Sequence, residues 1–297
     1  MTTCTFWIVT PSFRSLRWLP CAVASVADQA GEGVRVHHHV QDGGSDDGTR
    51  EWLEAHARQC AEAPREGYTF SFESAPDAGM YDAINKGWNR TPESADIVAH
   101  LNSDEQYLPG ALRTVAQSAL AHPAADLLLG DALVVDGEGR YRCHQSSVKP
   151  WPWMACYFCV VLTCTAFYRR RLLFDPVRRF DPSWRISGDM VFYHHLFRTP
   201  VRVMLLDRPT AVFVDSGENL ALHPDCRAED ARFWREYGGP FAPLQRYILK
   251  ANTLRRIWKD LRRGLSRVYD IYLPETTGRR TTFPIARPAS LWRRKVC

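Results

Sequence analysis

The sequence predicts an α/β protein: a mostly parallel sheet flanked by helices, followed by a basic helical extension. Through the first half of the chain, short apolar runs alternate with stretches of helical period, the pattern of strand–helix–strand units. Several of those runs end in clusters of Asp, Asn, Ser and Gly, and open α/β sheets bind their ligands at such strand ends. The charge is also uneven. From Arg246 onward 14 Lys and Arg stand against 3 Asp and Glu, net +11, whereas residues 1–245 carry 24 against 30, net −6.

Residues 5–10, Thr-Phe-Trp-Ile-Val-Thr, form a β-rich run closed by Pro11, and the apolar positions Trp18, Leu19, Ala22, Val23 and Val26 then recur at helical spacing. Residues 34–40 make a second strand, which runs into Asp42-Gly43-Gly44-Ser45-Asp46-Asp47-Gly48-Thr49 and a helix over 50–61. Glycines there let backbone approach a ligand, and Asp42 can accept a hydrogen bond from a nucleobase or a ribose; the plainer reading is an Asp/Gly turn capping the helix. A third strand, 68–73, breaks at Pro76-Asp77-Ala78-Gly79 before a helix from Met80, whose amino end favours phosphate. The fourth strand, Ile97-Val98-Ala99-His100-Leu101, runs directly into Asn102-Ser103-Asp104-Glu105, an oxygen-only set suited to Mg2+ or Mn2+. A helix over 109–121 follows, then a hairpin from strands 126–135 and 140–143.

Residues 151–168 carry no charge, but Pro152, Thr163, Thr165 and the following Arg169-Arg170-Arg171 favour a buried loop leading into a strand over a membrane span. Cys156 and Cys159 form a single CxxC in this apolar stretch and read as buried thiols rather than a zinc or redox site. Ser187 is placed to cap a helix reaching Phe197, with Asp189 in its first turn, held anionic by the helix dipole and able to accept a proton. His194 and His195 read as packing or surface residues, and His37-His38-His39 alternate faces of a strand and cannot converge on one metal. Residues 201–214 predict one or two strands and 224–237 a helix. Beyond them Leu254, Ile257, Trp258, Leu261, Leu265, Val268, Tyr269 and Tyr272 share one helical face, with Arg255, Arg256, Lys259, Arg262, Arg263 and Arg267 mostly opposite. Such a helix over 245–272 fits an anionic membrane surface, or docks on the body through its apolar face; nucleic acid is the lesser partner.

Composition excludes a disordered or fibrous chain, since 45% of residues are hydrophobic and 24% charged with no low-complexity tract. The start shows no basic region followed by an apolar core, and nine cysteines lack framework spacing. Both predict a cytoplasmic protein with mostly buried thiols, peripheral at most to the inner face of the membrane.

Four segments in order, Thr10-Pro11-Ser12-Phe13, Asp42 to Thr49, Asp77-Ala78-Gly79-Met80-Tyr81-Asp82-Ala83-Ile84-Asn85-Lys86-Gly87 and Leu101-Asn102-Ser103-Asp104-Glu105, resemble the family 2 glycosyltransferases over about two-thirds of the chain. The resemblance implies the Rossmann-like type-A glycosyltransferase fold, with a catalytic domain over 1–243, divided into a nucleotide-sugar half (1–122) and an acceptor half (123–243), and a basic amphipathic tail over 244–297. It further implies that Thr10, Pro11, Ser12, Asp42, Asp77, Asn85, Lys86, Asn102 and Ser103 bind a nucleotide-sugar, that Asp104 holds Mn2+ or Mg2+ with Glu105 contributing, and that Asp189 is the catalytic base. Asp131, Trp151, Trp153 and Thr165 would shape the sugar and acceptor sites. The chain departs from the family's acidic triplet at Asn102, from its common Arg at Ile84 and from its acidic pair at Gly188. The expected reaction is inverting transfer from a nucleotide diphosphate sugar, a uridine diphosphate sugar first among them, to a hydroxyl of a surface polysaccharide or lipid-linked acceptor. The alternatives are a sugar nucleotidyltransferase and a non-enzymatic protein binding sugar nucleotide, membrane or nucleic acid.

Overall fold

A computed structural model describes residues 3–215, 225–240, 242–276 and 278–290. The predicted strand–helix units follow one another as β1 (Cys4–Ser12), α1 (Leu19–Ala27), β2 (Val34–Asp42), α2 (Thr49–Glu62), β3 (Tyr68–Ser74), α3 (Met80–Asn89) and β4 (Ile97–His100). β1 is buried on both faces, as a central parallel strand must be. Phe6 and Ile8 join the core on the side of α1, while Trp7 and Val9 pack with Ile84 and Trp88 of α3 on the other. Ser12 lies in register with Asp42, and Asp42 with Ser74. The polar loops at the carboxyl ends of these three strands therefore sit side by side.

The remaining elements are β5 (Gln106–Tyr107), α4 (Ala111–Ala121), β6 (Leu127–Asp136), β7 (Tyr141–Gln145), β8 (Ala166–Arg169), α5 (Arg170–Phe174), α6 (Gly188–Leu196), β9 (Val203–Asp215), α7 (Cys226–Tyr237), α8 (Gln245–Arg263), β10 (Val268–Ile271) and β11 (Thr281–Pro284). Across the large sheet the order is β3-β2-β1-β4-β8-β6-β9-β5, with β7 beside β6. Most strands run in one direction; β8, inserted between β4 and β6, is antiparallel to both, as β5 is to β9 and β7 to β6. Short β5 and α5 escaped the sequence pattern because two and five residues show no period. Residues 203–215 form one strand rather than two, bent where Asp207 adopts φ 59°.

The uncharged stretch is a loop with 3-10 turns over Pro152–Cys156 and Thr163–Thr165 leading into β8, largely buried from Met154 onward but exposed at Trp151, Pro152 and Trp153. No described helix is long and apolar enough to cross a membrane. Of the eight described cysteines, all free thiols, four are buried and four only half-buried, fewer buried than expected. The expected start of the helix at Pro224 and the basic run Trp292 to Lys295 lie outside the described residues.

The C-terminal helix differs most from expectation. It stops at Gly264, whose φ of +76° breaks the helix, and Val268 to Tyr272 instead belong to a β10–β11 hairpin and its exit. Tyr269, Ile271 and Ile285 pack against Leu133, Val135, Val212 and Val214 of the sheet. Gln106 exchanges two hydrogen bonds with the backbone of Tyr272, and Arg280 pairs with Asp28 at 2.6 Å. α8 itself docks through its polar face. Asn252 and Asp260 are buried on the body, whereas Leu254, Trp258 and Leu261 face solvent.

Candidate active site

The second strand-end loop is built around Asp42. Its fully buried carboxylate accepts from the amides of Gly44 (3.2 Å) and Ser45 (2.9 Å) and from the hydroxyls of Ser45 (2.5 Å) and Ser74 (2.6 Å). A carboxylate offers about four lone-pair sites. Asp42 is therefore committed to its own loop, not to capping α2 and not free to meet a base. Thr10 is equally inward, its hydroxyl 2.9 Å from His38 Nε2. Burial holds that imidazole well below its ordinary pKa.

Asp77 is better placed to meet a ligand. It is half-buried beside Gly43, where an added Cβ would come 3.0 Å from its carboxylate, so the two loops touch closely there. Its Oδ1 accepts from the Gly79 amide at 2.8 Å, and burial raises its pKa. Ser12, with a buried hydroxyl lacking any partner, ends β1 in register with Asp42. Lys86, expected on a diphosphate, pairs with Asp82 at 3.0 Å and donates to the carbonyl of Pro76 at 3.2 Å; it remains partly exposed. Asn85 is not available for a nucleotide. Its amide donates to the Phe180 carbonyl (2.8 Å) and accepts the Phe180 amide (3.0 Å), clamping α3 to the turn ahead of α6.

After β4, Ser103 hydrogen-bonds Ser15 at 2.9 Å, joining the acidic loop to the loop after β1. Asp104 is half-buried and Glu105 fully buried. Burial raises both pKa values, and the charge of Asp104 raises that of Glu105 further. Glu105 turns inward, its Oε2 accepting the Asn102 amide at 2.9 Å, and it lies close enough to Asp104 for that charge to act on it. Asn102 keeps a buried Oδ1 without a donor. No group of three or more His, Cys, Asp or Glu able to hold a metal occurs among the described residues. One carboxylate, an unpartnered amide oxygen and a raised carboxyl pKa nonetheless fit a hard divalent ion that takes most of its ligands from phosphate and water.

The start of α6 lies against α3, where Tyr81 reaches it. Ser187 occupies the cap position without making the capping hydrogen bond. Glu229 of α7 instead fixes the turn that leads into the helix, its carboxylate accepting the amides of Arg185, Ile186 and Ser187 at 2.7, 2.9 and 2.8 Å. Asp189 Oδ1 accepts the Met190 amide at 2.8 Å and Oδ2 the Cys159 thiol at 3.3 Å. Burial outweighs these hydrogen bonds and the helix dipole, so its pKa is raised rather than held low. A carboxylate made more basic in this way is a better proton acceptor at neutral pH. Gly188 has no room for a side chain, because a Cβ would lie 2.6 Å from the Tyr81 ring. This explains why only one carboxylate stands here.

Tyr81, Glu229 and Cys159 were missed as functional residues. Tyr81 sits inside a recognised motif but signals its role only through Ile186, which it reaches across 105 positions. Cys159 hinted at itself through the CxxC, for the wrong reason; Cys156 lies 3.5 Å from His194 instead. Nothing in the sequence marks Glu229.

Two acceptor-side expectations are corrected. Asp131 lies under α8, with Oδ1 accepting from Lys259 (2.9 Å) and Ser147 (2.7 Å) and Oδ2 facing Arg263 (3.3 Å). Thr165 is buried and donates to the Leu162 carbonyl at 2.7 Å. Both are structural. Trp151 and Trp153 stack on each other and stay exposed.

Strand ends carrying Asp77, Ser12 and Asp104, and a carboxylate of raised pKa at a helix start tied to α3, invite comparison with known proteins. The chain resembles the crystal structure of S. aureus TarS, with a TM-score of 0.56 and 19% identity over 72% of this chain and 37% of that one. It also resembles S. aureus TarS residues 1–349 in complex with UDP-GlcNAc, with a TM-score of 0.57 and 18% identity over 74% of this chain and 61% of that one. The chain thus spans less than two thirds of the length of these solved chains, and at such identity they show the fold alone. No curated protein matches it. The sequence profile "Glycosyl transferase family 2" matches residues 7–179, from β1 to the turn before α6 and more than half of the chain. The chain therefore belongs to glycosyl transferase family 2.

Proposed function

We propose that this protein is a glycosyltransferase that moves a sugar from a nucleotide diphosphate sugar, a uridine diphosphate sugar first among them, to an acceptor hydroxyl with inversion at the anomeric carbon. The observation that carries the reading is the Tyr81 hydroxyl, which donates to Ile186 at 2.8 Å and receives the Asp189 amide at 3.2 Å. It ties α3, on the donor side, to the carboxylate-bearing start of α6. Asp189 takes the proton from the acceptor hydroxyl as that oxygen attacks from the face opposite the diphosphate, and the Cys159 thiol and Met190 amide hold the carboxylate in place. Asp77 and Ser12 line the nucleoside side, and the unpartnered Ser12 hydroxyl is ready to bond a ribose or base. Pro11 borders the nucleoside as well, and Ser103 the nucleotide-sugar. Asp104, with the Asn102 side chain, would hold Mn2+ or Mg2+, and such an ion would supply positive charge for the leaving diphosphate. Lys86 adds positive charge there once the diphosphate competes with Asp82. The solved neighbour with UDP-GlcNAc supports a uridine nucleotide.

The acceptor is a surface polysaccharide or a lipid-linked glycan, reached at the cytoplasmic face of the membrane. The test is release of nucleoside diphosphate from a panel of sugar nucleotides with Mn2+ or Mg2+, with and without acceptor. Turnover of one donor, abolished in Asp189→Asn, supports the reading; release of pyrophosphate from a nucleoside triphosphate and sugar phosphate would replace it by nucleotidyl transfer.

A further inference from the structure

We propose that the outer face of α8, continued by Trp151 and Trp153, is a docking surface for an anionic phospholipid bilayer. Its use, delivery of a lipid-linked acceptor, rests on the function proposed above; the surface itself does not. The helix is amphipathic, yet it is mounted with its polar side inward. Lys259 and Arg263 pair with Asp131 and Asp207, and Asp260 is buried with its carboxylate on Ser146. That docking turns Tyr247, Leu254, Trp258 and Leu261 outward, 50%, 65%, 62% and 76% exposed. Positions 247, 254, 258 and 261 fall within a narrow arc at 3.6 residues per turn. Among the described residues this is a continuous apolar ridge of the kind soluble proteins rarely leave in water.

The ridge carries positive charge along both flanks. Arg246 lies 4.7 Å and Lys250 5.9 Å from the Tyr247 ring, and Arg262 lies 5.5 Å from Trp258. The one acidic residue of α8 is the buried Asp260. At the rim the Arg255 guanidinium covers Trp151 at 4.1 Å, joining the exposed Trp151–Trp153 pair to the same surface. Apolar and indole side chains at the centre with cations along the edges match acyl chains below and phosphate headgroups around them. A second copy fits poorly, because a two-fold contact would set these cations against each other with no carboxylate on α8 to pair with them. Duplex nucleic acid fits poorly too, since phosphates would meet Leu254 and Leu261 before any cation. The segment from Trp151 leads within eight residues to Cys159, which bonds Asp189.

The test uses the full chain in flotation with vesicles of phosphatidylcholine alone or of equal parts phosphatidylcholine and phosphatidylglycerol. Binding is expected to the anionic vesicles only, weakening as salt rises. The triple variant Leu254→Ser, Trp258→Ser, Leu261→Ser should bind them roughly tenfold or more less tightly while its circular dichroism and its nucleoside diphosphate release stay those of the native chain. Brominated phosphatidylcholine in the anionic vesicles should quench the native tryptophan emission, and less so in Trp258→Phe. Failure to bind anionic vesicles, or undiminished binding by the triple variant, would overturn the proposal. So would dimers in sedimentation that the triple variant dissolves, or duplex DNA binding as tight as vesicle binding. Vesicle binding lost in the triple variant by a chain that turns over no sugar nucleotide would uphold the surface and remove the function reading instead.

Discussion

The Tyr81 hydroxyl is shared between the carbonyl of Ile186 and the amide of Asp189, so one side chain of α3 fixes the first turn of α6. Tyr81→Phe should lower kcat about tenfold with little change in donor KM, at a stability cost of about 1 kcal/mol. Measuring kcat and KM separately decides; a raised KM with unchanged kcat would assign Tyr81 to donor binding. Gly188→Ala, which pushes a methyl into the same ring, should cost about 1–3 kcal/mol in urea unfolding.

Asp189→Asn should reduce kcat by about 10²–10⁴-fold, the usual worth of a positioned base. Burial raises the pKa of Asp189, so turnover needs its proton removed and the acid limb of kcat/KM lies above the ordinary carboxylate value. The Cys159 thiol bonds the charged form and lowers that pKa; Cys159→Ala should move the limb to higher pH. A shift to lower pH would show that the thiol does not stabilise the carboxylate.

At the β4 end, Asp104→Asn should abolish the response of turnover to Mn2+. Glu105→Gln should keep it, because burial already favours the protonated, neutral form that glutamine resembles. Loss of the metal response in Glu105→Gln would restore Glu105 as a ligand.

The buried Asp131–Lys259 pair should behave as a tether. Asp131→Ala leaves the ammonium of Lys259 deprived of its buried partner and should cost about 3–5 kcal/mol in urea unfolding, while nucleoside diphosphate release below the transition stays native. In Asp131→Ala, Lys259→Ala the cost should fall short of the sum of the single changes. A stable Asp131→Ala with lost turnover would return the residue to the sugar site.

Acid should destabilise the protein through its buried histidines. His100, among Trp88 and Phe180, is held at about 3 by burial. The unfolded chain takes up that proton near 6.5 and the folded chain does not, so stability falls as pH drops from about 6.5 toward 3, by up to about 1.4 kcal/mol per pH unit for this one group. Urea unfolding at several pH values should show a shallower slope in His100→Gln; an unchanged slope would mean that His100 does not titrate on unfolding.

The strand–helix order, the acidic loops at the ends of β2 and β4 and the position of Asp189 at a helix start were legible in the sequence, because periodicity, turn chemistry and strand ends are local properties. Composition also set the charge of the tail and the amphipathic period of α8. Which polar groups stay available was not legible. Asn85 meets Phe180 across 95 positions and Glu229 meets the amides of residues 185–187 across more than 40. A side chain's hydrogen bonds are decided by what packing brings to it. The same reason settled α8: its period defines two faces, but only the buried Asp131 beneath Lys259 and Arg263 made the polar face the one that docks and left the apolar one in solvent.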